Sequence, residues 1–207
     1  MLEKILEFYT IANNLKNIIR TGWKEVGIPA EKIETVAEHV YGCNILAICI
    51  MGEYKLNLDI QKVLKMLTIK ELTKSTTEEI SVINGKNNLE KNRNIILAIT
   101  DKLLSKEELI DIYDEYISQE TKEAKFTLYI SKFESDLQAK LYDINGDFKL
   151  ENAIEDIKNF PEDLKSKILP TIENASDGWL QYNRTYYNDS EIFMSLSKDL
   201  QKYKKRN

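Results

Sequence analysis

Apolar side chains recur at helical spacing along most of the chain. Over residues 2–20 they fall three or four positions apart, which predicts an amphipathic first helix. Similar patterns joined by short polar segments continue towards the C-terminus. The chain has only 7 glycines and 3 prolines in 207 residues, a composition that favours long helices over strands and turns. We therefore predict an all-α fold of about eight to ten helices, with residues 1–207 forming a single compact domain.

The pattern also predicts where the individual helices lie. The second helix is expected to open at Glu34 or Thr35 and to end near Gly52, and it is apolar on most faces, which is typical of a buried helix. The third is expected to open at Asp59 and to carry Glu71 at the end of its apolar stripe. Residues 75–88 are polar and are interpreted mainly as a loop. Further helices are predicted over 89–103, 105–119, 121–143, 148–159 and 161–173, and from Ser190 onwards.

The charge pattern excludes some classes of partner. The net charge is −5 with both signs interspersed, whereas a nucleic-acid-binding protein normally carries a basic stripe. The basic residues at 202–206 are interpreted as a solvated helix end. Apolar runs are too short to span a bilayer, and the N-terminus is unlike a signal peptide. We expect a cytoplasmic protein with no nucleic-acid or membrane partner, in which Cys43 and Cys49 are reduced core residues.

Four segments together resemble a known family. They are Leu15-Lys16 with Arg20-Thr21-Gly22-Trp23, then Glu34-Thr35-Val36-Ala37-Glu38-His39, then Lys62–Leu72, and finally residues 109–142. Their order and spacing are similar to those of the HD-domain phosphohydrolases, in the branch of the bacterial 5′-deoxynucleotidases. The resemblance is strongest over residues 15–142. It implies an HD-like helical domain, with residues 143–207 as a C-terminal helical extension packed on the same core.

The resemblance also implies a set of site residues. Family members hold one divalent metal with a His, an adjacent His-Asp pair and a distant Asp, and the metal activates water for attack on the phosphate of a deoxynucleoside monophosphate. Here His39 matches the first ligand, whereas Lys70 and Glu71 stand at the His-Asp pair and Ser131 at the final Asp. Glu79 lies near the place of an acidic residue that the family uses in catalysis, which makes it a catalytic candidate.

These replacements weaken a metal site. A hydrolytic centre needs three or four lone-pair donors and an open position for water, but the ammonium of Lys70 has no lone pair and the hydroxyl of Ser131 is a weak ligand. We expect no metal cofactor at this position; an ion that did bind there would be Mn, Co, Mg or Zn. His39 is interpreted as a hydrogen-bonded core residue rather than a ligand.

The side chain of Lys70 has two interpretations. Its ammonium either takes over the electrostatic role of the metal, or its stem packs on Val63 and Met66 while its head reaches solvent. The second is favoured. A direct contact with Glu71 is not assumed, because adjacent residues of a helix do not normally face one another.

Arg20 and Trp23 are the candidate substrate-binding residues. In the family the arginine contacts the substrate phosphate and the tryptophan packs beside the nucleotide, and a guanidinium suits phosphate because it presents a planar fork of donors. The alternative, held equally, is that Arg20 caps a helix C-terminus and Trp23 fills the core.

Three functions follow from this pattern. The first is a catalytically impaired member of the family that binds a nucleoside monophosphate or another phosphate ligand. The second is an active metal-dependent phosphohydrolase with altered ligands, using His39, Glu71, Glu79 and Glu134. The third is a non-catalytic structural or regulatory dimer whose pocket is filled by side chains. The resemblance further implies a homodimer or a higher homo-oligomer.

Overall fold

The computed structural model describes residues 1–75 and 89–204, and these residues confirm the all-α prediction. Within them lie eleven α-helices, one more than the predicted range, and four short 3₁₀ helices. The α-helices are α1 Leu2–Asn13, α2 Thr21–Glu25, α3 Val36–Glu53, α4 Ile60–Ile69, α5 Leu89–Thr100, α6 Lys106–Ser118, α7 Lys122–Asn145, α8 Leu150–Ile157, α9 Glu162–Ile168, α10 Asp177–Asn183 and α11 Glu191–Lys202. The 3₁₀ helices are Asn14–Lys16, Ala30–Lys32, Lys70–Ser75 and Leu169–Thr171. No helix in the described ranges is both long enough and apolar enough to cross a membrane.

The chain divides into two compact units. The first unit comprises Met1–Arg20 and Glu34–Ile130, and the second comprises Thr21–Ile33 and Ser131–Asn207. Residues 122–130 at the start of α7 therefore belong to the first unit, and the remainder of the helix belongs to the second. That residues 1–207 form a single domain stays a prediction.

Several helices begin at the predicted capping residues. Thr35 opens α3 with a capping box, in which its hydroxyl accepts from the backbone N–H of Glu38 and the Glu38 carboxylate accepts from the backbone N–H of Thr35. Asp59 caps α4 and Ser190 caps α11 in the same way, through one side-chain oxygen each. Ser105 precedes α6 as predicted, but its ψ of 11° is not extended and its side chain makes no capping hydrogen bond.

The first unit is built on a core that lies between its helices and the Lys70–Ser75 turn. The buried members are Leu15, Val36, Ile69, Leu72, Ile96, Ile99, Ile110 and Tyr113. The first helix ends at Asn13 rather than near residue 20, and only its Phe8, Ile11 and Ala12 pack against this core.

The second unit is organised around aromatic side chains. Trp23 is buried, with its ring 5.3 Å from Tyr142 in an edge-on contact and 4.5 Å from Trp179. At Gly178 a Cβ would lie 2.7 Å from Cδ1 of Ile157, so a larger residue there would displace that buried side chain.

The helix predicted to be buried, α3, has one exposed face. Val36, Cys43, Ala47 and Ile50 are buried as the pattern requires. Tyr41, Ile45, Ile48 and Cys49 are exposed, however, so the prediction of a core position for Cys49 is wrong. Periodicity could not show this exposed face. The sequence shows that a residue is apolar, but it does not show whether another helix covers it.

Candidate functional site

A short backbone bridge positions the first part of the site. Ile19 pairs antiparallel with Thr35, the N–H of Val36 donates to the carbonyl of Ile18 at 2.8 Å, and the N–H of Arg20 donates to the carbonyl of Glu34 at 3.1 Å. The bridge holds the chain after the first 3₁₀ helix against the start of α3. The Arg20 side chain consequently begins beside the first turn of that helix.

Arg20 connects a carboxylate with the only histidine of the chain. Its Nη1 donates to Oε1 of Glu34 at 2.8 Å and to Nδ1 of His39 at 3.0 Å. A guanidinium cannot accept a hydrogen bond, so Nδ1 is the acceptor and the neutral ring carries its proton on Nε2. Burial and the nearby Arg20 charge hold the pKa of His39 well below its usual value, which makes the ring a neutral imidazole at pH 7.

Lys70 and Glu71 form a buried ion pair at the start of the Lys70–Ser75 turn. The ammonium of Lys70 contacts Oε1 of Glu71, and both side chains are more than nine-tenths buried. The interpretation that the head of Lys70 reaches solvent is therefore wrong. A buried ammonium needs a charged or hydrogen-bonding partner, so it turns to the carboxylate of Glu71, although the two residues are adjacent in sequence.

Both members of this pair are held in their charged forms. Burial alone would raise the pKa of Glu71, but Lys70 and then Lys74 outweigh it and hold that pKa well below its ordinary value. Burial likewise opposes the charge on Lys70, yet the Glu71 carboxylate raises the pKa of Lys70 above its ordinary value. Lys74 adds a second ammonium, whose Nζ lies 3.0 Å from Oε2 of Glu71.

These side chains form one continuous set, which we call the ionic cluster. Nε2 of His39 lies 3.9 Å from Oε1 of Glu71 and joins the two halves. The members of the ionic cluster are Arg20, Glu34, His39, Lys70, Glu71 and Lys74, all in the first unit. Three cations face two carboxylates and a neutral ring, so these side chains carry one positive charge in excess.

The donors present at the family's ligand positions do not fit a divalent cation. The Glu71 carboxylate is already paired with two ammonium groups, and Nδ1 of His39 already accepts from Arg20. Lys70 places a positive charge where a second imidazole is expected, and repulsion between cations is strong in a buried environment.

Two of the remaining predicted site residues belong to the second unit. Trp23 belongs to the second unit, where Tyr142 and Trp179 cover its ring. Ser131 lies on α7 in the second unit and is partly buried. Glu79 lies outside the described residues. The assignment of these residues to a site stays a prediction.

Sequence reasoning did not predict the contacts of two members of the ionic cluster, Glu34 and Lys74. The contact of Glu34 with Arg20 depends on the backbone bridge at Ile19 and Thr35, and two extended residues give no periodic signal. Lys74 reaches Glu71 because the end of α4 tightens into a 3₁₀ turn, where residues three apart share a face. The one sequence feature that pointed to these contacts was the acidic residue Glu34, which directly precedes the residue that caps α3.

Solved structures with the same fold come from distant organisms. A crystal structure of a Pyrococcus horikoshii protein matches with a TM-score of 0.60 and 24% identity, covering 96% of this chain and 99% of that chain. A protein from Magnetospirillum magnetotacticum, described as a predicted metal-dependent phosphohydrolase, matches with a TM-score of 0.55 and 19% identity over 93% of this chain and 94% of its own. At these identities the likeness shows the fold.

Sequence comparisons give the family. The HD domain family model matches residues 12–173. The 5′-deoxynucleotidase HDDC2 of Dictyostelium discoideum is 29% identical over 80% of this chain and 90% of its own length. The 5′-deoxynucleotidase hdd1 of Schizosaccharomyces pombe is 30% identical over 75% of this chain and 78% of its own. This chain therefore belongs to the HD-domain family of phosphohydrolases, in its 5′-deoxynucleotidase-like branch.

Proposed function

We propose that this protein is a catalytically impaired HD-domain protein that binds a nucleoside monophosphate, or another phosphate compound, without metal-dependent hydrolysis. The proposal rests on the contacts of His39 and Glu71, the two residues at the family's ligand positions whose side chains could still bind a metal ion. Arg20 engages His39, and Lys70 and Lys74 engage Glu71. Protein cations thus surround both groups that would otherwise bind a metal ion and activate water.

The charge of the ionic cluster supports an anionic ligand. Its side chains carry one positive charge in excess, and Arg20 offers the planar donor fork that suits a phosphate group. The side chains of Arg20 and Lys74 keep 16% and 28% of their surface exposed, so both remain within reach of solvent. A phosphate would compete with Glu34 for the guanidinium, which predicts modest affinity. The relatives named 5′-deoxynucleotidases suggest which phosphate compounds to try first.

Two measurements with the same panel of nucleotides test the proposal: the melting temperature of the protein and the release of phosphate. We expect deoxynucleoside 5′-monophosphates, or inorganic phosphate, to raise the melting temperature of the wild type. Arg20→Gln is expected to abolish the shift, because it removes the charge and the fork. Arg93→Gln is the matched control, since Arg93 is an exposed arginine that pairs with Asp114, and its shift is expected to persist.

The same samples measure catalysis. We expect no phosphate release above background with added Mn²⁺ or Co²⁺. Turnover at ordinary enzyme rates, of about 1–1,000 per second, would contradict the proposal and favour an active phosphohydrolase with altered ligands.

A second candidate function has its own supporting observation. Each carboxylate of the ionic cluster is paired with a protein cation, and Trp23 is covered by Tyr142 and Trp179, as expected of a non-catalytic regulatory protein whose pocket is filled by side chains. The absence of both a melting shift and phosphate release across the panel would favour this function over ligand binding.

A further inference from the structure

Arg20 and Glu34 are held together by the backbone as well as by their side chains. The N–H of Arg20 donates to the carbonyl of Glu34 at 3.1 Å, next to the antiparallel pairing of Ile19 with Thr35. Nη1 of Arg20 also donates to Oε1 of Glu34 at 2.8 Å. The two residues thus lie side by side in the bridge, and the carboxylate is a tethered partner of the guanidinium.

The helix that follows constrains Glu34 further. Thr35, the next residue, is the N-cap of α3, and its capping box with Glu38 sets the direction in which the chain enters the helix. The backbone on both sides of Glu34 is therefore fixed by hydrogen bonds. A constrained tether of this kind gives the carboxylate a high effective concentration at the guanidinium of Arg20.

Any anion that binds Arg20 competes with this carboxylate. Carboxylate and phosphate oxygens both accept from a guanidinium, often through two parallel hydrogen bonds. The free anion also gives up its freedom of movement when it binds, whereas Glu34 is already in place. Glu34 is 8% exposed, so the displaced carboxylate has solvent beside it. The displacement of Glu34 therefore imposes the same free-energy cost on every anion that takes its place.

This cost excludes weak ligands and admits strong ones. A phosphate monoester carries about −1.5 to −2 charges at pH 7 and has three strong acceptor oxygens, whereas a carboxylate or a phosphodiester carries a single negative charge. The ionic cluster has one positive charge in excess, and its attraction for a ligand grows with the charge of that ligand. A phosphate monoester therefore displaces Glu34 where a monoanion of similar size does not.

We propose that Glu34 is a built-in competitor for the anion site. Its carboxylate occupies Arg20 in the unbound protein, and a phosphate monoester displaces it on binding, whereas monoanions do not. The contact is autoinhibitory, because it lowers the affinity for every anion and thereby sets which of them bind. This inference rests on the proposed function, since it requires a phosphate compound to bind at Arg20.

NMR titrations with methyl phosphate test the role of Glu34. The ring signals of His39 report binding, because Nδ1 accepts from Arg20 and the chain has one histidine. We expect Glu34→Gln to lower the dissociation constant of methyl phosphate by about ten- to a hundredfold, the range of a hydrogen bond to a charged group. The same substitution in an Arg20→Gln background is expected to give no gain in affinity.

Two further variants separate competition from other effects. Asp114→Asn is the matched control, because it changes the net charge equally and removes a carboxylate that pairs with the exposed Arg93. We expect it to leave the affinity for methyl phosphate within about twofold. Glu34→Asp keeps the charge on a side chain one methylene shorter, and a smaller gain is expected than with Glu34→Gln. Circular dichroism and melting curves check that the variants fold.

Dimethyl phosphate, which carries a single negative charge, tests whether Glu34 is displaced. A displaced carboxylate imposes the same cost on both probes, so Glu34→Gln is expected to improve both dissociation constants by the same factor. A carboxylate that stayed in place would repel the dianion more than the monoanion. The improvement would then be larger for methyl phosphate, and that result would overturn the displacement of Glu34.

The outcomes separate this inference from the proposed function. Binding that is lost with Arg20→Gln but is not strengthened by Glu34→Gln would overturn the inference and leave the proposed function intact. The absence of binding to both the wild type and Glu34→Gln would contradict the proposed function itself, and the inference with it.

Discussion

Both units bury ionisable side chains, and they keep them in different protonation states. In the first unit, Lys70 and Glu71 are both more than nine-tenths buried and both charged, because each has a partner of opposite charge. In the second unit, Asp136 is fully buried, and its carboxyl oxygens accept from neutral groups, the amide of Asn183 at 2.7 Å and the hydroxyl of Tyr187. Burial raises the pKa of Asp136 to about 8 despite these hydrogen bonds.

The comparison shows that partners, rather than burial, decide whether a buried group stays charged. The hydrogen bonds to Asp136 and the charge of Arg184 lower its pKa less than burial raises it, so the second unit keeps this carboxyl protonated at neutral pH. The ionic cluster instead balances charge against charge, as a metal centre does with its ligands. We infer that lysine ammonium groups supply the positive charge that the family's metal would provide.

Removing Glu71 is expected to have the largest effect. Glu71→Gln leaves the Lys70 ammonium buried without its counter-charge, and we expect the free energy of unfolding to fall by about 3–5 kcal/mol in urea titrations. The double variant Lys70→Met/Glu71→Leu is the control, because an apolar pair of similar volume avoids the buried charge, and it is expected to recover most of the loss. A single variant as stable as the wild type would show that the pair is not buried in solution.

Breaking the neutral network of the second unit is expected to cost less. Tyr187→Phe removes the hydroxyl that donates to Asp136 and leaves one carboxyl oxygen without that partner, at a cost of about 1–3 kcal/mol in the same titrations. Asp136→Asn is the matched variant. It preserves the shape and a neutral side chain, so we expect a smaller loss. A larger loss than that of Tyr187→Phe would mean that Asp136 is charged in the folded protein.

The pH dependence of stability is expected to have opposite signs in the two units. The folded-state pKa of Asp136, about 8, lies above the ordinary aspartate pKa of 3.8, so the folded state holds the extra proton between these values and stability falls as pH rises through that window. The folded-state pKa of Glu71 lies below 4.5, so its contribution is present above that pH and is lost as pH falls further. Unfolding titrations of wild type and Asp136→Asn check this: the variant should lose the decline between pH 4 and 8. An unchanged decline would contradict the assignment.

The smallest predicted effect concerns the link between Arg20 and His39. Arg20→Gln removes a positive charge from beside the ring, so we expect the pKa of His39 to rise while burial still holds it below its usual value. Because His39 is the only histidine, its ring signals in NMR titrations are unambiguous. Arg93→Gln is again the control and is expected to leave those signals unchanged.

Local signals in the sequence predicted much of the fold. Thr35 and Asp59 open helices because their side-chain oxygens satisfy free N–H groups. The helix predicted over 121–143 is α7, which ends at Asn145, and Gly146 then adopts a φ of +77°, which glycine tolerates better than other residues. The end of the first helix was missed, because apolar spacing continues through the Asn14–Lys16 turn and into the bridge.

The candidate site was less predictable than the fold. The family resemblance singled out Arg20, His39, Lys70 and Glu71, all of which the structure brings together in the ionic cluster. The contact between Lys70 and Glu71 could not be predicted, because it depends on the burial of both side chains and not on their spacing. The exposed apolar face of α3 was missed for a related reason, since composition does not tell which element covers an apolar face.

Paramagnetic NMR of His39 tests the central inference, that protein cations take the place of the metal, most directly. Mn²⁺ is titrated into wild-type protein while the ring C–H signals of this single histidine are followed. We predict that these signals stay unbroadened, because Arg20 engages the imidazole and two lysines engage the neighbouring carboxylate. Saturable broadening of the His39 signals that is lost in Glu71→Gln would show a bound ion at this position and would contradict the account.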